Sequence, residues 1–199
     1  MVAIDLVHDT QEVFRTILHC MSRPGTITNI EEIGRPIGQQ EYCQHSIFVT
    51  AITLLDAEVS FHIVGENAEA IGEYLSSFTF SKVAEIHEAD YIFIMKDAQE
   101  QIISNVFKKV KKGTLANPQQ SATILIETDM LSTENHLTLE GPGIEHTEKV
   151  KIDASEYWVA ERAGANKEYP LGVDLILIDR DSNMMCLPRT TNIHDHEVS

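Results

Sequence analysis

Two arginines stand where this chain could recognise an oxyanion. A guanidinium presents planar N–H donors that match phosphate or phosphonate oxygens two at a time. Arg23 lies in the turn Ser22-Arg23-Pro24-Gly25, and Arg189 follows Pro188, beside the hydroxyls of Thr190 and Thr191. Loops at strand ends are where open α/β sheets bind ligands, so Arg23, Arg189 and Thr190 form the candidate patch for an anion or a partner's carboxylate. The competing reading is ordinary ion pairing, because 15 Lys and Arg face 31 Asp and Glu and surface ion pairs are common.

No catalytic residue declares itself. There is no Walker loop, GxGxxG, GxSxG or HExxH, the spacings by which phosphate loops, nucleophile elbows and zinc proteases are recognised. Gly141-Pro142-Gly143 is too short to cradle phosphates and reads as a tight turn. His194 and His196 are spaced to share a metal, but a polar terminal tail is a poor cage, and no metal is expected. His19, His45, His62 and His87 are scattered on expected elements, where a hydrogen-bonded histidine is the ordinary case. No lysine has a context that marks a Schiff base, so no cofactor is expected either. Cys20, Cys43 and Cys186 show no paired spacing and read as reduced, buried thiols.

The elements that must position the arginines follow from periodicity. Val13, Phe14, Ile17, Leu18 and Met21 recur at helical spacing after Asp9, and Pro24-Gly25 ends that helix. A second helix is expected from about Glu41 to Leu55, and a strand over Asp56 to Val64 with Ala57, Val59, Phe61 and Ile63 on one face. Helices near 67–77 and 98–110 then alternate with the apolar strands 91–95 and 122–127. Later come Leu137 to Glu140, the Gly-Pro-Gly turn, Val150 to Asp153, a helix near 155–166 and the strand Val173 to Ile178. The alternation predicts an α/β fold with a mixed, partly parallel sheet and helices on both faces. Short paired segments around the turn suggest an antiparallel edge. One domain over residues 1–199 is the simpler reading, with a frayed polar tail from about Asn192.

The chain's 199 residues carry a formal charge of −16, which repels polyphosphate backbones, so nucleic acid is not an expected partner. The longest nearly apolar run, Ile47 to Leu55, is far short of a membrane span. No signal-peptide pattern opens the sequence, and a cytoplasmic location is expected.

Six further segments, taken in order with Phe14-Arg15-x-Ile17-Leu18 and Met21-Ser22-Arg23-Pro24-Gly25, carry a resemblance. They are Thr53-Leu54-Leu55-Asp56 with Glu58 and Ser60-Phe61; Gly113-Thr114 with Pro118; Ser121-Ala122-Thr123; Gly141-Pro142-Gly143-Ile144; Tyr169-Pro170-Leu171-Gly172-Val173-Asp174; and Leu187-Pro188-Arg189-Thr190. In this order the set resembles the PhnH family of the bacterial carbon–phosphorus lyase system, from Phe14 to about Ile193. The resemblance implies a subunit that works with PhnG, PhnI and PhnJ and forms homodimers. That system uses ATP and an alkylphosphonate to make a ribose 1-phosphonate 5-triphosphate, releasing adenine before a radical iron–sulfur subunit cleaves the C–P bond. It also implies a fold similar to a reduced large domain of the pyridoxal-phosphate (PLP) transferases, without the cofactor. It assigns no catalytic residue. A freestanding small-molecule transferase and a pure assembly scaffold are the rival functions, and the missing nucleophile–base pair counts against the first.

Overall fold

The computed structural model describes residues 7–33, 42–153 and 157–195. Its centre is a seven-stranded sheet in the order β1-β9-β8-β5-β4-β2-β3, formed by β1 (Thr28–Asn29), β2 (Ser60–Val64), β3 (Lys82–Val83), β4 (Tyr91–Ile94), β5 (Thr123–Thr128), β8 (Asp174–Asp179) and β9 (Asn183–Leu187). Strands β3, β2, β4, β5 and β8 run parallel, and β9 alone is reversed, pairing antiparallel with both β8 and β1. The sheet is therefore mixed and mostly parallel, as the alternation of elements predicts.

Side chains alternate cleanly through the sheet because successive strand residues point to opposite faces. Phe61, Phe93, Leu125, Ile176, Met184 and Cys186 enter one core, which α1 (His8–Ser22), α2 (His45–Leu54) and α3 (Ala68–Thr79) cover. Ile92, Ile124, Leu175, Leu177 and Met185 enter the other, beneath α4 (Glu100–Lys109), α5 (Tyr157–Ala165) and a second, three-stranded sheet. Strands buried on both faces must be apolar throughout, which is why β4, β5 and β8 were readable as short apolar runs.

Four readings need correction. The segments around the Gly-Pro-Gly turn, β6 (Leu131–Glu140) and β7 (Glu148–Ile152), form no edge of the main sheet. They pair with each other and with β10 (Asn192–Asp195) in the separate antiparallel sheet β10-β6-β7, and β9 with β1 supplies the antiparallel edge instead. The tail expected to fray from Asn192 is ordered strand as far as Asp195, because its backbone completes hydrogen bonds that β6 would otherwise leave open. In α1 the buried stripe is Val13, Ile17 and Cys20, whereas Phe14 and Leu18 face outward, 47% and 53% exposed. The second helix begins at His45 rather than near Glu41, a residue outside the described ones.

No described helix is long and apolar enough to cross a membrane.

Candidate functional site

Arg189 is expected to offer a fork for an anion, and the structure gives that fork to the protein itself. Nε and Nη2 donate to the two oxygens of Asp174 at 3.3 and 2.6 Å. Nη1 donates to the carbonyls of Pro118 and Pro170 at 3.1 and 3.3 Å, and Nη2 also to the Ser121 hydroxyl at 2.5 Å. A guanidinium has five N–H donors, so none is left for an oxyanion. The Asp174 carboxylate also accepts the Arg189 backbone N–H at 2.7 Å. The position of Arg189 in the sheet also counts against an anion site. Because β9 runs against its neighbours, its carboxyl end lies beside Thr123 and Asp174, the first residues of β5 and β8. Ligands of open α/β sheets gather at the opposite edge.

The three predicted residues do share a neighbourhood, built by the Gly-Pro-Gly turn. Gly143 sits so close to the chain before Pro24 that a Cβ there would lie 2.3 Å from the Ser22 carbonyl oxygen, and a Cβ on Gly141 would lie 2.7 Å from that of Thr190. Both glycines have positive φ, 142° at Gly141 and 87° at Gly143, a region that costs other residues energy. The turn thus wedges between the Arg23 and Thr190 segments. Arg23 is exposed and Thr190 half-buried, but the Arg189 guanidinium is turned away to Asp174.

A second arginine, which periodicity did not single out, clamps the same loop from inside. Arg162 on α5 is 3% exposed and donates to the carbonyls of Thr191, Leu187 and Pro188 at 3.0, 3.4 and 2.5 Å. Burial pushes its pKa down to about 10, with Asp174 working weakly the other way. The loop after β9 is therefore structural on both sides.

The crevice that topology predicts for a ligand is at the carboxyl edge. From β2 the chain moves outward to β3, returns across β2 to β4, and continues through β5 to β8. The connections diverge between β2 and β4, the place where such sheets open. Two adjoining clefts of about 180 and 250 Å³ lie there, sharing Met95, Lys96 and Glu127 as their common wall. Gly65, at the end of β2, lacks the Cβ that would lie 2.7 Å from Asp97 Oδ1, and Asp97 Oδ2 accepts the Glu66 N–H at 3.2 Å. Glu127 accepts the Lys96 N–H at 3.1 Å, and the Lys96 ammonium pairs with Asp129.

This edge is lined by acid. Asp97 occupies the backbone donor that precedes α3, and Glu127, Asp129 and Asp153 border the larger cleft with one lysine already paired. Such a lining receives hydroxyl or amine donors and repels a polyphosphate. Cys43, in the smaller cleft, is no nucleophile at neutral pH: burial, helped by Glu127, pushes its thiol up to about 12. The signal in the sequence was the abrupt change from apolar run to charge, Met95 to Lys96-Asp97 and Ile126 to Glu127.

All three cysteines are free, yet Cys20 and Cys186 meet in the core, where a hydrogen bond from Cys186 holds Cys20 down to about 7 despite burial. Among the described residues no three His, Cys, Asp or Glu side chains are placed to share a metal ion. His196 lies outside the described residues.

Comparison with known proteins adds what geometry does not. Over 196 residues, 95% of this chain and 92% of the relative, it is 27% identical to the alpha-D-ribose 1-methylphosphonate 5-triphosphate synthase subunit PhnH of Rhizobium meliloti (strain 1021). It is 39% identical over 83 residues to the putative C-P lyase subunit protein HtxG of Stutzerimonas stutzeri, a match spanning 41% of this chain and 42% of that relative. The family model of the bacterial phosphonate metabolism protein PhnH matches residues 3–194. The chain belongs to the PhnH family of bacterial phosphonate metabolism proteins.

Proposed function

We propose that this chain is a subunit of a carbon–phosphorus lyase complex, and that within it the chain is needed to form ribose 1-methylphosphonate 5-triphosphate from ATP and methylphosphonate with release of adenine. The observation that carries the reading is the family match over residues 3–194, with one relative named as a subunit of that synthase and another as a putative C-P lyase subunit. The site chemistry fits a subunit better than a freestanding enzyme. The carboxyl-edge crevice repels a triphosphate, and its thiol is held protonated. The partners in this reading are PhnG, PhnI and PhnJ, beside a second copy of the chain, in the cytoplasm. A fold like a reduced PLP-transferase large domain belongs to the same reading, supported by a seven-stranded sheet with one reversed strand.

The test is adenine release from ATP and methylphosphonate. The complex reconstituted with this chain should turn over, whereas the chain alone and the partners alone should not. Equal turnover by the purified chain without partners would establish the freestanding enzyme instead, and turnover by the partners without this chain would remove its role in the step.

A further inference from the structure

The amino edge carries an exposed apolar pair that the proposed function leaves unused. Leu115 is 76% exposed and Tyr169 74%; among the described large apolar side chains only Phe80 is as open. Isolated exposed apolar residues are ordinary, but these two are coupled. Arg189 Nη1 donates both to Pro118 O, on the Leu115 loop, and to Pro170 O, next to Tyr169. Two acceptors on one nitrogen lie within about 6 Å of each other by normal hydrogen-bond lengths. A further bond joins the loops directly, from the Gly172 N–H to Lys112 O at 3.0 Å. The pair is therefore presented on a rigid base, and little ordering remains to be done on binding.

The same two loops, and the helix end that leads into the first, carry clustered lysines in an acidic chain. Lys108, Lys109, Lys111 and Lys112 end α4 and lead into the first loop, and Lys167 lies in the second. Lys111 is taken by Asp90 at 2.5 Å and Lys108 by Glu161 at 3.6 Å. The Asp90 carboxyl, raised by burial, is held below its usual range by Lys111 and the Ser60 donors, so that pair is settled. Asp174 is spent on Arg189. Lys109, Lys112 and Lys167 have no side-chain hydrogen bond or ion pair among the described residues, and Glu168 is the acid that shares the Tyr169 loop.

We propose that this face docks an acidic protein partner. Leu115 and Tyr169 seat in apolar recesses of the partner, and Lys109, Lys112 and Lys167 meet carboxylates around them. An apolar centre with an aromatic anchor inside a charged rim is the usual anatomy of a specific interface. The chain as a whole carries −16, so a face with three unpaired lysines favours an acidic protein surface as its occupant, and charge sets the docking orientation. The proposal rests on the complex reading and names the face through which the subunit attaches.

The test is retention of co-expressed C–P lyase subunits on the tagged chain, at low and high salt. The triple reversal Lys109→Glu, Lys112→Glu, Lys167→Glu should retain at least about tenfold less partner, as should Leu115→Asp with Tyr169→Ser. Glu73→Lys on α3 should change nothing, and thermal melts of all variants should match the wild type. Higher salt should weaken wild-type retention, since these pairs lie at a screened rim. If the wild type retains no subunit, the complex reading itself falls and the docking face with it. If the wild type is retained and both surface variants are retained equally well, only the docking face is overturned. Loss of self-association with partner retention intact would assign the face to a second copy and overturn the acidic partner.

Discussion

The two edges of the main sheet use charge in opposite ways. At the amino edge Arg189 is enclosed by Asp174, Ser121, Pro118 and Pro170, and its charge locks three loops. At the carboxyl edge the acids surround open clefts, and several of their bonds are to exposed backbone or to a half-exposed lysine. The same residue types thus build structure at one edge and a receptive surface at the other, and what separates them is enclosure. A fully bonded guanidinium stabilises by satisfying buried acceptors. A solvated carboxylate contributes little to stability and remains able to bind.

The strongest way to break this contrast is Arg189→Ala. The change strands a mostly buried carboxylate and frees two carbonyls, so a loss of about 3–5 kcal/mol is expected. At roughly 2–4 °C per kcal/mol for a chain of this size, the melting temperature should fall by 6 °C or more. Arg189→Lys should lose nearly as much, because a single ammonium cannot reach acceptors that the planar fork holds apart. A melt close to wild type for either variant would show that the amino edge is held by packing alone.

The next test sharpens the carboxyl edge through pH. Cys43 has its folded pKa raised from 9.0 to about 12, so the stability linked to its neutral thiol is fully present below pH 9 and lost as pH rises towards 12. At about 1.4 kcal/mol per unit, wild-type protein should lose roughly 2–3 kcal/mol by pH 11 relative to its pH 9 stability, and Cys43→Ala should lose that much less. Denaturant melts of both proteins across this window measure the difference. Parallel curves would mean that the thiol is solvated and the cleft open to bulk water.

Smaller effects are expected from the exposed charges. Arg23→Ala and Lys96→Ala should each change stability by about 0.5 kcal/mol or less, since Arg23 is exposed and the Lys96–Asp129 pair is half-exposed at both ends. Urea titration checks both. A loss comparable to that of Arg189→Ala would place Arg23 in a buried network rather than at the surface.

The α/β class and the central strands were legible because burial on both faces demands uninterrupted apolar runs, and Tyr91 to Ile94 and Val173 to Ile178 have no other use in a chain of this charge. The family, too, was legible from short segments whose order no local rule explains. Several of those segments meet in space: the stretch holding Pro118 and Ser121, the stretch from Tyr169 to Asp174, and Arg189 itself. Sequence marked these residues without saying that they serve each other. The direction of β9 decided that, because a strand's polarity relative to its neighbours is set by long-range pairing and leaves no trace in its own residues. The same holds for Cys20 and Cys186, which share a core but no local pattern. Sequence determined which segments are buried and which residues could carry charge chemistry. Tertiary structure decided which charges are enclosed and which meet solvent, since enclosure depends on what distant chain packs against them.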